Sequence, residues 1–272
     1  MTIIDAYKMD GLGNDFLIID RRSKAIHIGR DKIIKLGKRD KIGFDQLIFI
    51  DKEVNNITSI TIFNSDGDEV SACGNGARCV AYFLSKEKNK NNISLQTNER
   101  ILTATIAKKL SVKINMGKPV FDWKKIPLSK NLDYNKISIE IDGNKFIEGF
   151  ALSVGNPHII FFVKNCFEID LKNIGPKIEN HKIFPEKCNV TFAQINNENN
   201  IEINVWERGA GLTKACGTAA CATVVASHTK GLTKRKVAIK FKEGVLDLEI
   251  NENNNIFMSG PVSEIKKITL EI

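Results

Sequence analysis

The chain has 272 residues, of which 42% are hydrophobic and 26% charged, which excludes a mainly disordered chain and, with only 19 Gly and 6 Pro, a collagen-like one. The formal net charge is +8, but residues 1–117 hold +5 of it and the remainder +3, so no basic stripe with aromatic partners forms and no nucleic-acid partner is expected. The first five residues lack a basic region followed by an apolar core, and no apolar run approaches a membrane span, so the expected setting is the cytoplasm, with no membrane partner. In that compartment the six cysteines are expected as thiols rather than disulfides.

Taken in chain order, the first block is Gly13-Asn14-Asp15-Phe16, followed by the apolar run 17–19. Next comes Asp45-Gln46-Leu47-Ile48-Phe49, then strand-like alternation over 57–63 and a polar, Gly-containing turn over 64–71. The turn ends at Cys73-Gly74, after which the small, apolar stretch 77–84 predicts a buried helix. Residues 86–92 read as a solvated loop, 101–116 as strands and hairpins, and 117–127 as a crossover. The pattern then recurs about 143 residues later. Gly155-Asn156-Pro157-His158 precedes the apolar run 159–163, and 137–152 reads as further strands with a turn at Asp142-Gly143. Cys188-Asn189-Val190-Thr191-Phe192 stands where the shift carries the block at 45–49. A strand over 201–206 runs into the turn 207–214, which ends at Cys216-Gly217, and a second buried helix is predicted over 219–226. Strands and a turn at 253–255 complete the region 237–259. One offset joining four blocks predicts a duplicated α/β unit, with a ligand between the halves.

The two Cys-Gly pairs carry the chemistry. The first N–H groups of a helix have no internal partners, and that end is partly positive, so it suits a carboxylate. A thiol placed there is expected to ionise below its free value of about 8.5. Gly74 and Gly217 lack a Cβ, which lets a ligand approach the backbone. If the two helix starts share one ligand, a thiolate removes an α-proton while the opposite thiol protonates the other face. The surrounding N–H groups stabilise the enediolate-like charge that develops. Cys79, Cys166, Cys188 and Cys221 read as packing residues. The cysteine spacings do not form a zinc site, and neither a dinucleotide fingerprint nor a P-loop is present.

The blocks Lys8-Met9-x-Gly-Leu-Gly-Asn14-Asp15-Phe16, Asn64-Ser-Asp-Gly, Ala72-Cys-Gly-Asn-Gly-Ala-Arg-Cys79, Gly155-Asn-Pro-His158 and Glu207-Arg-Gly-Ala-Gly with Ala215-Cys-Gly-Thr218 resemble the diaminopimelate epimerase family over nearly the whole chain. The resemblance implies an α+β fold of two pseudo-symmetric α/β domains, each a mixed or antiparallel strand barrel around a central helix. The domains would be 1–117, with the return of 261–272, and 118–260. It implies a pyridoxal-independent isomerase, needing no cofactor or metal, that interconverts LL- and meso-2,6-diaminopimelate in lysine and peptidoglycan synthesis. Cys73 and Cys216 would be the base and acid, and the N–H groups of Gly74, Asn75, Gly217 and Thr218 would hold the reacting carboxylate. Asn14, Gln46, Asn64, Asn156, Asn189 and Arg208 would contact the substrate, and His158 and Glu207 would line the site and tune the thiols or the amine. Amides that both donate and accept suit a zwitterion, and Arg208 offers a carboxylate a two-pronged fork. Leu212, Ala219 and Cys188 stand where the family commonly has Glu, Gly and Thr. A Tyr common near the family's C-terminus is replaced around 265–267, and a homodimer is left open. The alternatives are a two-cysteine proline racemase or hydroxyproline epimerase of the same fold, and a basic binding protein without activity.

Overall fold

The computed structural model describes residues 2–70, 73–98, 100–141 and 143–272 and divides into two units, Met1–Asn115 with Ser259–Ile272, and Met116–Met258. Ser71 and Ala72 of the first turn, and Asp142 of the expected 142–143 turn, lie outside the described residues.

In the first unit, β1 (Ile3–Gly11) pairs antiparallel with β2 (Asn14–Asp20) across Leu12 and Gly13, whose φ angles are 62° and 82°. Helix α1 (Arg30–Gly37) carries the chain back, so that β3 (Gln46–Val54) lies parallel to β2, with Phe16 opposite Gln46. A two-residue turn at Asn55 and Asn56, with φ of 51° and 62°, leads into antiparallel β4 (Ile57–Asn64). Asn tolerates this mirrored turn, whose twist matches the strands. The short β5 (Glu69–Val70) pairs with the end of β4.

Helix α2 (Gly74–Lys88) follows, buried from Gly74 through Ser85 and packed against β1, β2, β3 and the strands after it. Those are β6 (Asn92–Gln96), parallel to β4, then β7 (Ile101–Lys108) and β8 (Ser111–Asn115), each antiparallel to its predecessor. The helix runs further than the sequence suggested. Lys86 and Lys88 favour its negative end, and Asn89 closes it in the left-handed conformation, its N–H donating to Ser85 O.

The second unit repeats this order. It contains β9 (Ile137–Ile141), β10 (Asn144–Ser153), β11 (Pro157–Phe162), α3 (Leu171–Glu179), β12 (Asn189–Asn197), β13 (Asn200–Glu207) and β14 (Gly211–Leu212). Helix α4 (Gly217–Thr229), β15 (Lys236–Phe241) and β16 (Gly244–Ile250) complete the series, and β17 (Ile256–Pro261) begins in the second unit and ends in the residues of the first. Again the strands flanking the first helix are parallel, with His158 opposite Asn189, and β15 returns parallel to β13. Helix α4 is enclosed by β10, β11, β12, β15 and β16 and is buried on nearly every face, as its apolar sequence requires. Finally β18 (Lys266–Glu271) pairs antiparallel with β1, placing Ile3 opposite Glu271. Each unit is therefore a mixed sheet wrapped around one central helix, an α+β arrangement. Among the described residues, no helix is long and apolar enough to cross a membrane.

Candidate active site

The expected site residues of the first unit lie at strand and helix ends: Asn14 opens β2, Gln46 opens β3, Asn64 closes β4, and Cys73 caps α2. Gln46 and Asn64 stand opposite each other, and Gln46 Nε2 donates to Asn64 Oδ1 at 2.9 Å. Asn75, 2% exposed, donates from Nδ2 to Asn14 Oδ1 at 2.6 Å. These bonds tie the amides together in pairs. They also leave Gln46 Oε1 and Asn75 Oδ1 buried and accepting no hydrogen bond among the described residues, two acceptors of the kind an ammonium donates to. Cys73 is extended (φ −143°, ψ 113°), and its Sγ accepts from Gly76 N at 3.4 Å.

The second unit carries the matching set. Cys216 caps α4 with φ −133° and ψ 113°, almost the conformation of Cys73. His158 Nε2 bonds Asn156 Oδ1 at 2.9 Å, Asn156 Nδ2 donates to Thr218 Oγ1 at 3.3 Å, and Thr218 Oγ1 lies 3.4 Å from Cys216 Sγ. An amide oxygen only accepts, so His158 carries its proton on Nε2. Thr218 Oγ1 accepts from Asn156, which leaves its own proton for the sulfur. Complete burial holds His158 neutral, driving its pKa to about 3, and the charge of Arg208 acts in the same sense.

Cys216 corrects one expectation. Its thiol is pushed well up, first by burial and then by the charge of Glu207. The Thr218 hydroxyl and the Ala219 N–H pull the other way and are outweighed. Cys216 is 4% exposed, so lost hydration exceeds what the helix start returns, and the resting residue is a protonated thiol. Glu207 accepts from Thr213 Oγ1 at 2.6 Å and acts electrostatically on the Cys216 thiol, while burial raises its own carboxyl pKa. Asn189 is engaged at both ends of its amide: Oδ1 accepts from Arg208 N at 3.0 Å and Nδ2 donates to Pro157 O at 2.8 Å. Arg208 is exposed, with Nη1 donating to Glu186 O at 3.2 Å.

Sequence reasoning missed several supports. Arg39 forms ion pairs with Asp15 and Asp45, the neighbours of Asn14 and Gln46. Two acids placed next to two site amides were the readable signal. Thr213 and Glu179 gave no local signal. Cys79, Cys166, Cys188 and Cys221 are all fully buried, and burial raises Cys166 to about 11 and pushes Cys79 and Cys188 well up, as inert packing thiols. Leu212 is exposed, and Ala219 is buried in α4.

The fold of two similar units, each a mixed sheet around one central helix, is shared with solved structures of low sequence identity. A solved hydroxyproline epimerase from Agrobacterium vitis superposes with a TM-score of 0.68 over 99% of this chain and 93% of its own, at 11% identity. The sequence is more specific. Residues 6–122 and 150–265 match the model of the diaminopimelate epimerase family, to which the chain belongs. It is 53% identical to a diaminopimelate epimerase of Pelagibacter ubique (strain HTCC1062), over 99% of both chains. It is 41% identical to one of a Wolbachia of Drosophila simulans (strain wRi), over 94% of this chain and 95% of that one.

Proposed function

We propose that the protein interconverts LL- and meso-2,6-diaminopimelate without pyridoxal or metal, moving one proton between Cα and the thiols of Cys73 and Cys216. The observation that carries this reading is the shared placement of the two cysteines, each capping a buried central helix in nearly the same backbone conformation. Cys73 as thiolate takes the α-proton, and the electron pair left behind spreads into the carboxylate. The N–H groups of Gly74, Asn75, Gly217 and Thr218 stabilise that charge at the two helix starts. Cys216, protonated at rest, gives its proton to the opposite face, so inversion requires both sulfurs to reach one carbon. Afterwards the protonation states are exchanged, and they return either by turnover of the other stereoisomer or by loss of a proton from Cys73 to water and gain of one by Cys216. Asn14, Gln46, Asn64, Asn156, Asn189 and Arg208 bind the amino and carboxylate groups, including the distal pair, while His158 and Glu207 tune Cys216. A proline substrate has no distal carboxylate for Arg208, which favours diaminopimelate over that alternative. The reaction serves lysine and peptidoglycan synthesis in the cytoplasm, with a small molecule rather than nucleic acid or membrane as partner.

The test is turnover of LL-diaminopimelate in D2O without added cofactor. Early meso product is expected to carry deuterium at the inverted carbon while recovered substrate does not. Equal early labelling of both pools rejects the two-thiol mechanism, and absence of turnover rejects the substrate. Cys73→Ala and Cys216→Ala are each expected to lower inversion by about 10³-fold or more.

A further inference from the structure

The corner at the end of β13 presents Glu207 and Arg208 on consecutive residues, and one buried side chain grips it on both sides. Glu179, 5% exposed, accepts from Trp206 Nε1 at 2.7 Å through Oε2 and from Gly209 N at 2.9 Å through Oε1. Its two oxygens thus bracket the two residues that matter. The location is locally unfavourable, since Glu179 is the last residue of α3 and a helix C-terminus repels a carboxylate. Burial adds a desolvation cost that only specific donors offset. An acidic side chain placed against both penalties and gripping two donors signals a role outside its own helix.

The rest of α3 is shaped to the same corner. A Cβ on Gly175, one turn earlier on the same face, would come within 2.6 Å of the Trp206 ring. Gly175 and Glu179 therefore form a socket in which the indole lies over the glycine and its N–H reaches the carboxylate. Among the described residues the first unit shows no counterpart of this carboxylate grip. There α1 ends on Gly37, and the corner after Asn64 is held by Ser65 N donating to Asp45 O at 3.0 Å and by the exposed Arg30–Asp68 pair.

We propose that Glu179 is a positioning residue which, through Trp206 and Gly209, sets where Arg208 meets the substrate's distal carboxylate and how Glu207 meets the Cys216 thiol. This rests on the epimerase reading for its substrate part, and on geometry within the second unit for its thiol part. Loss of the grip frees Glu207 and admits water, which weakens both influences that hold the Cys216 proton.

The experiment compares wild type, Glu179→Gln and Trp206→Phe, the last removing one of the two donors but keeping the carboxylate on Gly209. KM for diaminopimelate is expected to rise about tenfold in Glu179→Gln, beyond any change in the folded fraction. The pH midpoint of iodoacetamide alkylation at Cys216, followed by peptide mass spectrometry, is expected to move down. Trp206→Phe is expected to shift both readouts the same way and by less. A purely structural residue would lower Tm and the folded fraction yet leave KM and the midpoint unchanged, and that result overturns the proposal. If Glu179→Gln does not fold, Trp206→Phe decides by the same criteria. If the wild type does not turn over diaminopimelate, the epimerase reading fails, while the alkylation midpoint still judges the link from Glu179 to Cys216.

Discussion

The thiol of Cys216, at the start of α4, and the carboxyl of Glu207, at the end of β13, lie close enough that each influences the other's charge. The carboxylate holds the proton on sulfur, and the thiol in turn favours the ionised carboxylate. Glu207→Gln removes the negative neighbour and leaves a neutral amide. The Cys216 thiol is then easier to ionise, so its alkylation midpoint should fall. Turnover should drop by about 10²-fold, because the residue no longer waits in its acid form. An unchanged midpoint would show that burial alone sets the thiol.

His158 predicts how stability depends on pH. Its folded pKa of about 3 lies below the ordinary 6.5, so between those values the unfolded chain binds more protons than the folded one. Stability therefore rises with pH through that window and is lost as pH falls through it, by at most about 5 kcal/mol. The raised carboxyl of Glu207 acts in the opposite sense over part of the range. His158→Gln keeps a donor towards Asn156 but cannot titrate. The drop in Tm between pH 7 and pH 4.5 should be smaller in the variant than in wild type. Equal drops would count against a buried neutral imidazole.

A Cβ on Gly76 would lie 2.6 Å from Ile48 Cδ1 and 3.2 Å from a carbon of the Phe16 ring. The isoleucine methyl can swing aside, but Phe16 is fully buried and its ring has nowhere to go. Gly76→Ala should cost about 1–3 kcal/mol and lower Tm by about 5 °C. The N–H of residue 76 donates to Cys73 Sγ, so the alkylation rate of Cys73 should change as well. Thermal denaturation and thiol labelling of one sample report both effects.

Arg39 is exposed, so its ion pairs with Asp15 and Asp45 contribute less than about 1 kcal/mol to stability. Their effect is on geometry, because Asp15 and Asp45 adjoin Asn14 and Gln46. Arg39→Ala should move Tm by less than about 2 °C and raise KM for diaminopimelate about threefold. Added salt should raise the wild-type KM towards that of the variant. A KM unaffected by the substitution would remove Arg39 from the site's supports.

Much of this could be read along the chain because the features are local. The four repeated blocks are each a run of a few consecutive residues, and so are the small apolar stretches after Cys73 and Cys216 with the Gly that follows each cysteine. Helix starts and buried helices are written in such short patterns. The end of α2 was not legible in this way. A polar run such as 86–92 is equally compatible with a solvated last turn, and the left-handed Asn89 sets the boundary. Helices α1 and α3 were also missed. Their value lies in the parallel returns they enable, Phe16 beside Gln46 and His158 beside Asn189, between residues about thirty apart.

The chemistry divides along the same line. The residues suited to proton transfer, and the backbone N–H groups beside them, follow from the order of amino acids, because capping is a property of consecutive residues. The proton state of Cys216 does not, since it sums desolvation by several strands with the field of Glu207. Nor does the part taken by Glu179, which in sequence is an acid at the wrong end of a short helix. Its partners Trp206 and Gly209 lie 27 and 30 residues away, and only folding brings their N–H groups to its carboxylate.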